Sequence, residues 1–293
     1  MSQKRKLEEV KEILTPLSQS NFKYFYRRST APESIEEFTA ALDGFVRAYL
    51  TVNRHYGDDT YDVYSTIMFD LKIRSKIVSE YDKSFAKDEN RQTALNKAAQ
   101  KMWTSDESFC TGRHKYKLFS MMNEAIRMDH KDMMTPLAIL TRAINKLCLY
   151  NSDVFPRKGL CFRGGGMMLC HRDFFVERKT YRVPGFLATS FSNDIANSFM
   201  ERAEERGEEP VLWTVRLDGR GETDPEHRCL HVNLLEAQEF EEREFLFVPY
   251  STFTVEAVQW SRRPTLATPH RITIFAANDN RAAPEDLPVA PWF

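Results

Sequence analysis

Three short segments, far apart in the 293 residues, hold side chains that could do chemistry together. In Leu160-Cys161-Phe162-Arg163-Gly164-Gly165-Gly166 an arginine closes a strand-like run and a glycine triplet follows. A guanidinium in that place can point into a cleft, where its planar fork grips a phosphate or carboxylate through two hydrogen bonds. The glycines, Gly164 first, would let a ligand approach the backbone closely. No Gly-Lys-Ser/Thr follows and no helix opens there, so the run is neither a P-loop nor a dinucleotide fingerprint. In the second segment, residues 185–192, a run of aromatic and small residues ends in Thr189 and Ser190. Hydroxyls on a strand beside a cleft can orient a carboxylate or a sugar hydroxyl. In the third, residues 239–249, the run Phe245-Leu246-Phe247-Val248 implies a buried strand entered from an acidic turn. Side chains alternate along a strand, so Glu242 and Glu244 share a face, about 7 Å apart. Two carboxylates on one face suit glycosyl transfer: one stabilises an electron-poor sugar carbon, the other handles the nucleophile. Taken singly, each segment equally describes an ordinary strand, the wet face of a strand, or a solvated acidic turn.

The elements that must carry these residues change character along the chain. Helical spacing dominates the first half. Leu7, Val10, Ile13 and Leu14 recur on one face, as do Phe38, Leu42, Phe45 and Tyr49, with Ser34 as N-cap and Glu37 three residues on. Further helices are expected over 61–81, 91–102, 115–127 and 135–150, the last opening at Thr135-Pro136. After Pro156 the pattern turns to short strands, expected over 159–163, 182–190, 211–217, 230–234, 244–248, 253–259 and 271–276. One helix, about 194–206, interrupts them with Ala196, Phe199 and Ala203 on one face, capped by Ser192 or Asn193. A helical block followed by a mainly β block is the α+β pattern. The expected division is a helical N-terminal region over 1–105, a catalytic domain over 106–277 and a flexible tail over 278–293, the tail being rich in Pro, Ala and Asp.

Composition narrows the function classes. With 41 Lys+Arg against 42 Asp+Glu, the formal net charge of −1 argues against a nucleic-acid binder. Five scattered cysteines argue against a disulfide framework and for a reducing compartment. No apolar run approaches the roughly 18 residues of a membrane span. The opening MSQKRKLEEVKEIL has lysines but no apolar stretch of the secretory kind. The expectation is a cytoplasmic protein, or a secreted effector that acts in a reducing host compartment. His227, Cys229 and His231 lack a fourth ligand at a zinc spacing, so no metal is expected.

Taken in order, the three segments resemble the arginine-specific mono-ADP-ribosyltransferases, the toxin-like family with an Arg, Ser-Thr-Ser, Glu-x-Glu signature. Arg163-Gly164 matches the family's Tyr-Arg-Gly, and Phe186 to Ser190 its Phe-x-Ser-Thr-Ser. Glu242-Arg243-Glu244-Phe245-Leu246, Pro249 and Phe253-Thr254-Val255 match Glu-x-Glu-Val-Leu, Pro and Phe-x-Val. Upstream, residues 103–127 look like the family's helix before its first strand, so the likeness covers roughly 103–277. It implies an α+β core of two small packed sheets with flanking helices and with NAD as substrate in the cleft between them. Arg163 would fix the diphosphate or support the site, with Gly164, Thr189, Ser190 and Phe199 also at the dinucleotide and Phe199 packing on nicotinamide. Glu244 would bond the ribose and stabilise the oxocarbenium that forms as nicotinamide leaves. Glu242 would hold and help deprotonate the guanidinium of an arginine on a protein acceptor. One departure stands out: Ala188 occupies the place of the first serine. In the family that hydroxyl supports the catalytic glutamate, so a neighbour such as Ser190 or Ser192 substitutes for it or activity falls. The alternatives are a non-catalytic NAD-binding or interaction module on the same fold, and an NAD glycohydrolase in which water replaces the acceptor.

Overall fold

The computed structural model describes residues 15–54, 69–87, 90–111, 114–147, 154–237 and 242–291. The expected helical spacing at 7–14, the start of the 61–81 helix, the end of the 135–150 helix and the acidic turn at 238–241 lie outside those residues. The chain divides into two compact units, 18–147 in one, 1–17 with 148–293 in the other, so the expected line between 105 and 106 falls inside the first.

The first unit is a helical bundle: α1 (Asn21–Arg28), α2 (Ile35–Arg54), α3 (Ser75–Phe85), α4 (Arg91–Thr104), α5 (Leu118–Met128) and α6 (Lys131–Asn145). A single π-turn, Asp70–Arg74, leads into α3. Capping follows the sequence: Ser34 Oγ accepts from Glu37 N while the Glu37 carboxylate accepts from Glu33 N, a reciprocal cap at the start of α2. Two boundaries differ from expectation. Residues 115–117 belong to a hairpin, β1 (Ser108–Thr111) with β2 (His114–Lys117), and α5 begins only at Leu118. The final helix starts at Lys131 rather than Thr135, so Pro136 sits inside it and, lacking an N–H, cannot donate to the carbonyl one turn back. A Cβ on Gly44 would lie 3.6 Å from Pro136, which shows how closely α2 and α6 approach at that point.

The second unit holds an eight-stranded sheet. Its strands are β3 (Leu160–Met167), β4 (Thr180–Val183), β5 (Leu187–Ser190), β6 (Glu209–Arg216), β7 (Val232–Ala237), β8 (Glu242–Phe247), β9 (Ser251–Gln259) and β10 (His270–Ala276), with helix α7 (Asn193–Glu205) between β5 and β6. They lie in the order β4-β9-β10-β6-β3-β5-β8-β7, and only β10 and β6 run parallel. With the helical unit this makes the α+β class. The two small sheets are a five-stranded half ending at β3 and a three-stranded half beginning at β5, joined by one register pair, Phe162 with Ser190. Apolar residues at alternate strand positions, among them Trp213, Val215, Phe245, Phe247, Phe253, Ile272 and Ile274, form the core against one face. Ala196 and Met200 of α7 pack with Leu212 and Phe162 on the other.

Three expectations are corrected. The run 182–190 is two strands, because Pro184-Gly185 breaks it and sends β4 and β5 to opposite halves of the sheet. The strand expected to end at Arg163 does not: β3 continues through the glycine triplet, paired with β6 as far as Met167 with Glu209. Residues 280–290 are not a loose tail. Arg182 N donates to Pro288 O at 2.9 Å, Ala290 N to Arg182 O at 2.8 Å, and Ala290 is fully buried.

Candidate active site

Antiparallel pairing brings the three segments onto adjacent strands. The order β3-β5-β8 sets Phe162 opposite Ser190 and Ser190 opposite Glu244. Directly opposed residues in such a ladder hold their Cβ atoms about 4.5–5.5 Å apart on one face. Ser190 therefore stands directly across from Glu244. Ser190 Oγ accepts from Ser192 N at 3.1 Å, an arrangement that leaves its hydroxyl proton to be donated elsewhere. Ala188 is on the same face as Ser190 but one step along, opposite Leu246. Glu242 opens β8 with its backbone paired to Ala237, and its side chain lies outside the described residues.

Thr189 points the other way. Its partner across the strands is the core residue Phe245, and its hydroxyl donates to Phe245 O at 2.7 Å with the side chain buried. Alternation alone forces this: if Ser190 faces the glutamate, Thr189 cannot. The Thr189 hydroxyl is thus taken up by a bond within the sheet. Cys161 lies beside Thr189, and burial pushes its thiol up to about 12, which keeps it from acting as a thiolate.

Arg163 faces Trp213 across β3 and β6. Its Nη1 donates to Ala188 O at 2.9 Å, so the guanidinium spans the gap where β3 and β5 part. Arg163 also lines a cleft of about 1060 Å³, together with Gly164, Phe199, Arg202 and Trp213. Phe199 is 46% exposed, so one face of its ring is open to the cleft. The Arg202 guanidinium lies 5.1 Å from the centre of its ring. Among the described residues Arg202 has no carboxylate at ion-pair distance. The cleft's two glutamates do have partners: Glu208 pairs with Arg206 at 2.8 Å and Glu209 with Arg172 at 2.9 Å. Arg202 was not read from the sequence. The signal was there, since Phe199 and Arg202 are three apart on a helix and so share a face.

Two of the glycines are also needed for close packing. A Cβ on Gly164 would sit 1.7 Å from Ala196 O, so this glycine admits the backbone of α7 against β3. A Cβ on Gly166 would collide with the Glu208 side chain at 2.0 Å. Gly164 still borders the cleft, but helix packing is what requires it.

The structure thus forms two groups: Arg163, Gly164, Phe199 and Arg202 at the cleft, and Ser190 with Glu244 on the neighbouring strands. Ser190 and Glu244 are not among the residues that line the cleft.

No protein-family model and no curated protein matches the chain. Solved structures that are similar to it include the Vis toxin, an ADP-ribosyltransferase from Vibrio splendidus (16% identity, TM-score 0.43, covering 70% of this chain and 84% of that one). The ADP-ribosyltransferase HopU1 of Pseudomonas syringae pv. Tomato DC3000 is similar at 16% identity and TM-score 0.44, covering 69% and 87%. The type III effector XopAI from Xanthomonas axonopodis pv. citri is similar at 13% identity and TM-score 0.46, covering 87% and 91%. What the site can do follows from its own residues.

Among the described residues no three His, Cys, Asp or Glu side chains are grouped to hold a metal ion. His227 pairs with Asp224, His231 with Asp279, and Cys229 Sγ with Ala277 O. Among the same residues no helix is long and apolar enough to cross a membrane.

Proposed function

We propose that this chain is a mono-ADP-ribosyltransferase that moves ADP-ribose from NAD to an arginine on a protein acceptor. The reading rests on one observation above the others. Segments around Arg163, Ser190 and Glu244, separated by up to eighty residues of sequence, lie on three adjacent strands with Ser190 opposite Glu244. The unit formed by residues 1–17 and 148–293 carries the reaction.

The cleft suits a dinucleotide in charge and shape. Arg202 provides an unmatched cation for the diphosphate, and the exposed face of Phe199 provides a platform for a planar ring. Arg163, tied to Ala188 O, supports the junction of the two half-sheets next to the phosphates. Glu244 bonds the ribose hydroxyl and stabilises the positive charge that develops as the glycosidic C–N bond breaks, with nicotinamide taking the bonding pair. Ser190 donates to Glu244 and keeps it aimed. The acceptor guanidinium has a pKa above about 12 and is a poor nucleophile until a proton is removed. Glu242 accepts that proton as the new C–N bond forms. A reducing compartment suits the free thiols Cys161, Cys170 and Cys229.

Purified protein incubated with labelled NAD and arginine-bearing acceptors tests this. Wild type should release nicotinamide and label the acceptor. Glu244→Gln should lower both by at least about 100-fold. Glu242→Gln should remove labelling and spare hydrolysis of NAD. Equal losses from both substitutions in both assays would overturn the role assignment. A second reading, a non-catalytic NAD-binding module, is favoured by the methyl group of Ala188 on the Ser190 face. It predicts NAD binding with no nicotinamide release, and no gain from Ala188→Ser.

A further inference from the structure

We propose that Pro291 forms one wall of the dinucleotide cleft and that Arg182, by holding residues 280–290, is the positioning residue that keeps it there. The inference rests on the reading of the cleft as a dinucleotide site.

Arg182 is 1% exposed, yet it carries a full charge. Its donors all go to main-chain carbonyls. Nη1 donates to Tyr250 O at 2.8 Å, Nη2 to Ala283 O at 2.9 Å, Pro284 O at 2.9 Å and Asn280 O at 3.1 Å, and Nε to Pro284 O at 3.2 Å. Burying a cation is costly, and an apolar residue of similar volume would serve packing alone as well or better. What an arginine can do that an apolar side chain cannot is gather several carbonyls of a segment that has no ladder of its own. The five-donor fork of the guanidinium is suited to that.

The same residue also pairs through its backbone. Arg182 N donates to Pro288 O, Ala290 N donates to Arg182 O, and Arg182 bridges Val289 in parallel. Side chain and backbone of one residue thus fix 280–290 against β4. Ala290 is fully buried in the core that holds Phe175 and Trp213, and the next residue, Pro291, lines the cleft. With Ala290 bonded and buried, Pro291 has little freedom to leave the rim. Its ring brings a rigid apolar edge without an N–H donor, on a cleft already bordered by Phe175 and Trp213. Such a wall suits the flat base of a dinucleotide and not its phosphates, which the arginines take.

Two variants of the full chain test the wall. Pro291→Gly keeps the Arg182 bonds and removes the rigid edge. It should weaken NAD binding about 5- to 10-fold by calorimetry and leave Tm within about 2 °C. Arg182→Lys keeps a cation but loses the fork. It should raise KM for NAD, leave kcat, and speed hydrogen exchange at the Ala290 amide, a set of changes that general destabilisation would not produce. A readout that needs no ligand is the methyl NMR signals of Met167 and Met168, which line the same cleft and should shift in Pro291→Gly. NAD affinity within twofold of wild type together with unmoved methyl signals would overturn the wall. A wild-type chain that does not bind NAD would overturn the dinucleotide reading instead, and the wall would then stand or fall on the methyl signals.

Discussion

Thr189 and Ser190 are adjacent hydroxyl residues with separate work, because a strand sends neighbours to opposite faces. Ser190 stands opposite Glu244, while Thr189 is bonded to Phe245 O inside the sheet. Thr189→Val keeps the shape and removes the donor. It should cost about 1 kcal/mol in denaturant unfolding and leave KM for NAD within twofold of wild type. Ser190→Ala should instead leave stability nearly intact and lower kcat. If Thr189→Val raised KM severalfold without loss of stability, the face assignment would be wrong.

At the scale of elements, α7 is the part that positions the cleft. It is capped by Ser192, whose Oγ accepts from Asp194 N, and it packs Ala196 and Met200 onto β3 and β6. Gly164 sets how near it lies. Gly164→Ala would force α7 outward, with an expected loss of about 2–3 kcal/mol and weaker NAD binding, since Phe199 and Arg202 move with the helix. Gly165→Ala meets only the Trp213 ring at 3.6 Å and should change little. In the helical unit, Asp129 does comparable work for α1. Its carboxylate accepts from Ser20 Oγ, Asn21 N and Phe22 N, and its φ of 49° is left-handed. Asp129→Ala loses the cap and strains the backbone, for about 2–3 kcal/mol in all by thermal unfolding. Asp129→Asn keeps a side-chain acceptor and tolerates that φ, so it should lose less.

At the scale of the whole molecule, buried charge sets a pH limit. His270 has no exposed surface; its Nδ1 accepts from Ser261 N and its Nε2 faces Glu209 at 3.1 Å. Burial lowers its pKa below the ordinary 6.5, while the Glu209 carboxylate pulls in the opposite direction. A histidine harder to protonate when folded favours the folded state above the unfolded pKa. That advantage is lost as pH falls, because the unfolded chain takes the proton first. Stability should therefore decline below about pH 6.5, by at most about 1.4 kcal/mol per pH unit from this group. Tm measured against pH should show the decline in wild type and a flatter profile in His270→Gln.

Much of this was legible in the chain itself. Helical spacing with Ser34 and Ser192 as caps, strands punctuated by Pro and Gly, and the ordered Arg, Thr-Ser and Glu-x-Glu segments follow from local sterics, hydrogen bonding and side-chain periodicity, which act within a few residues. The division of labour between Thr189 and Ser190 depends on register, which is settled only when β5 meets β8. The use of Gly164 depends on α7 closing over β3, a contact between segments some thirty residues apart. Arg182 and residues 280–290 read as a strand residue and a loose tail, since nothing local to either points to the other. Which face a residue presents, and which distant backbone needs its donors, is set by packing between elements, and that was decided only in the tertiary structure.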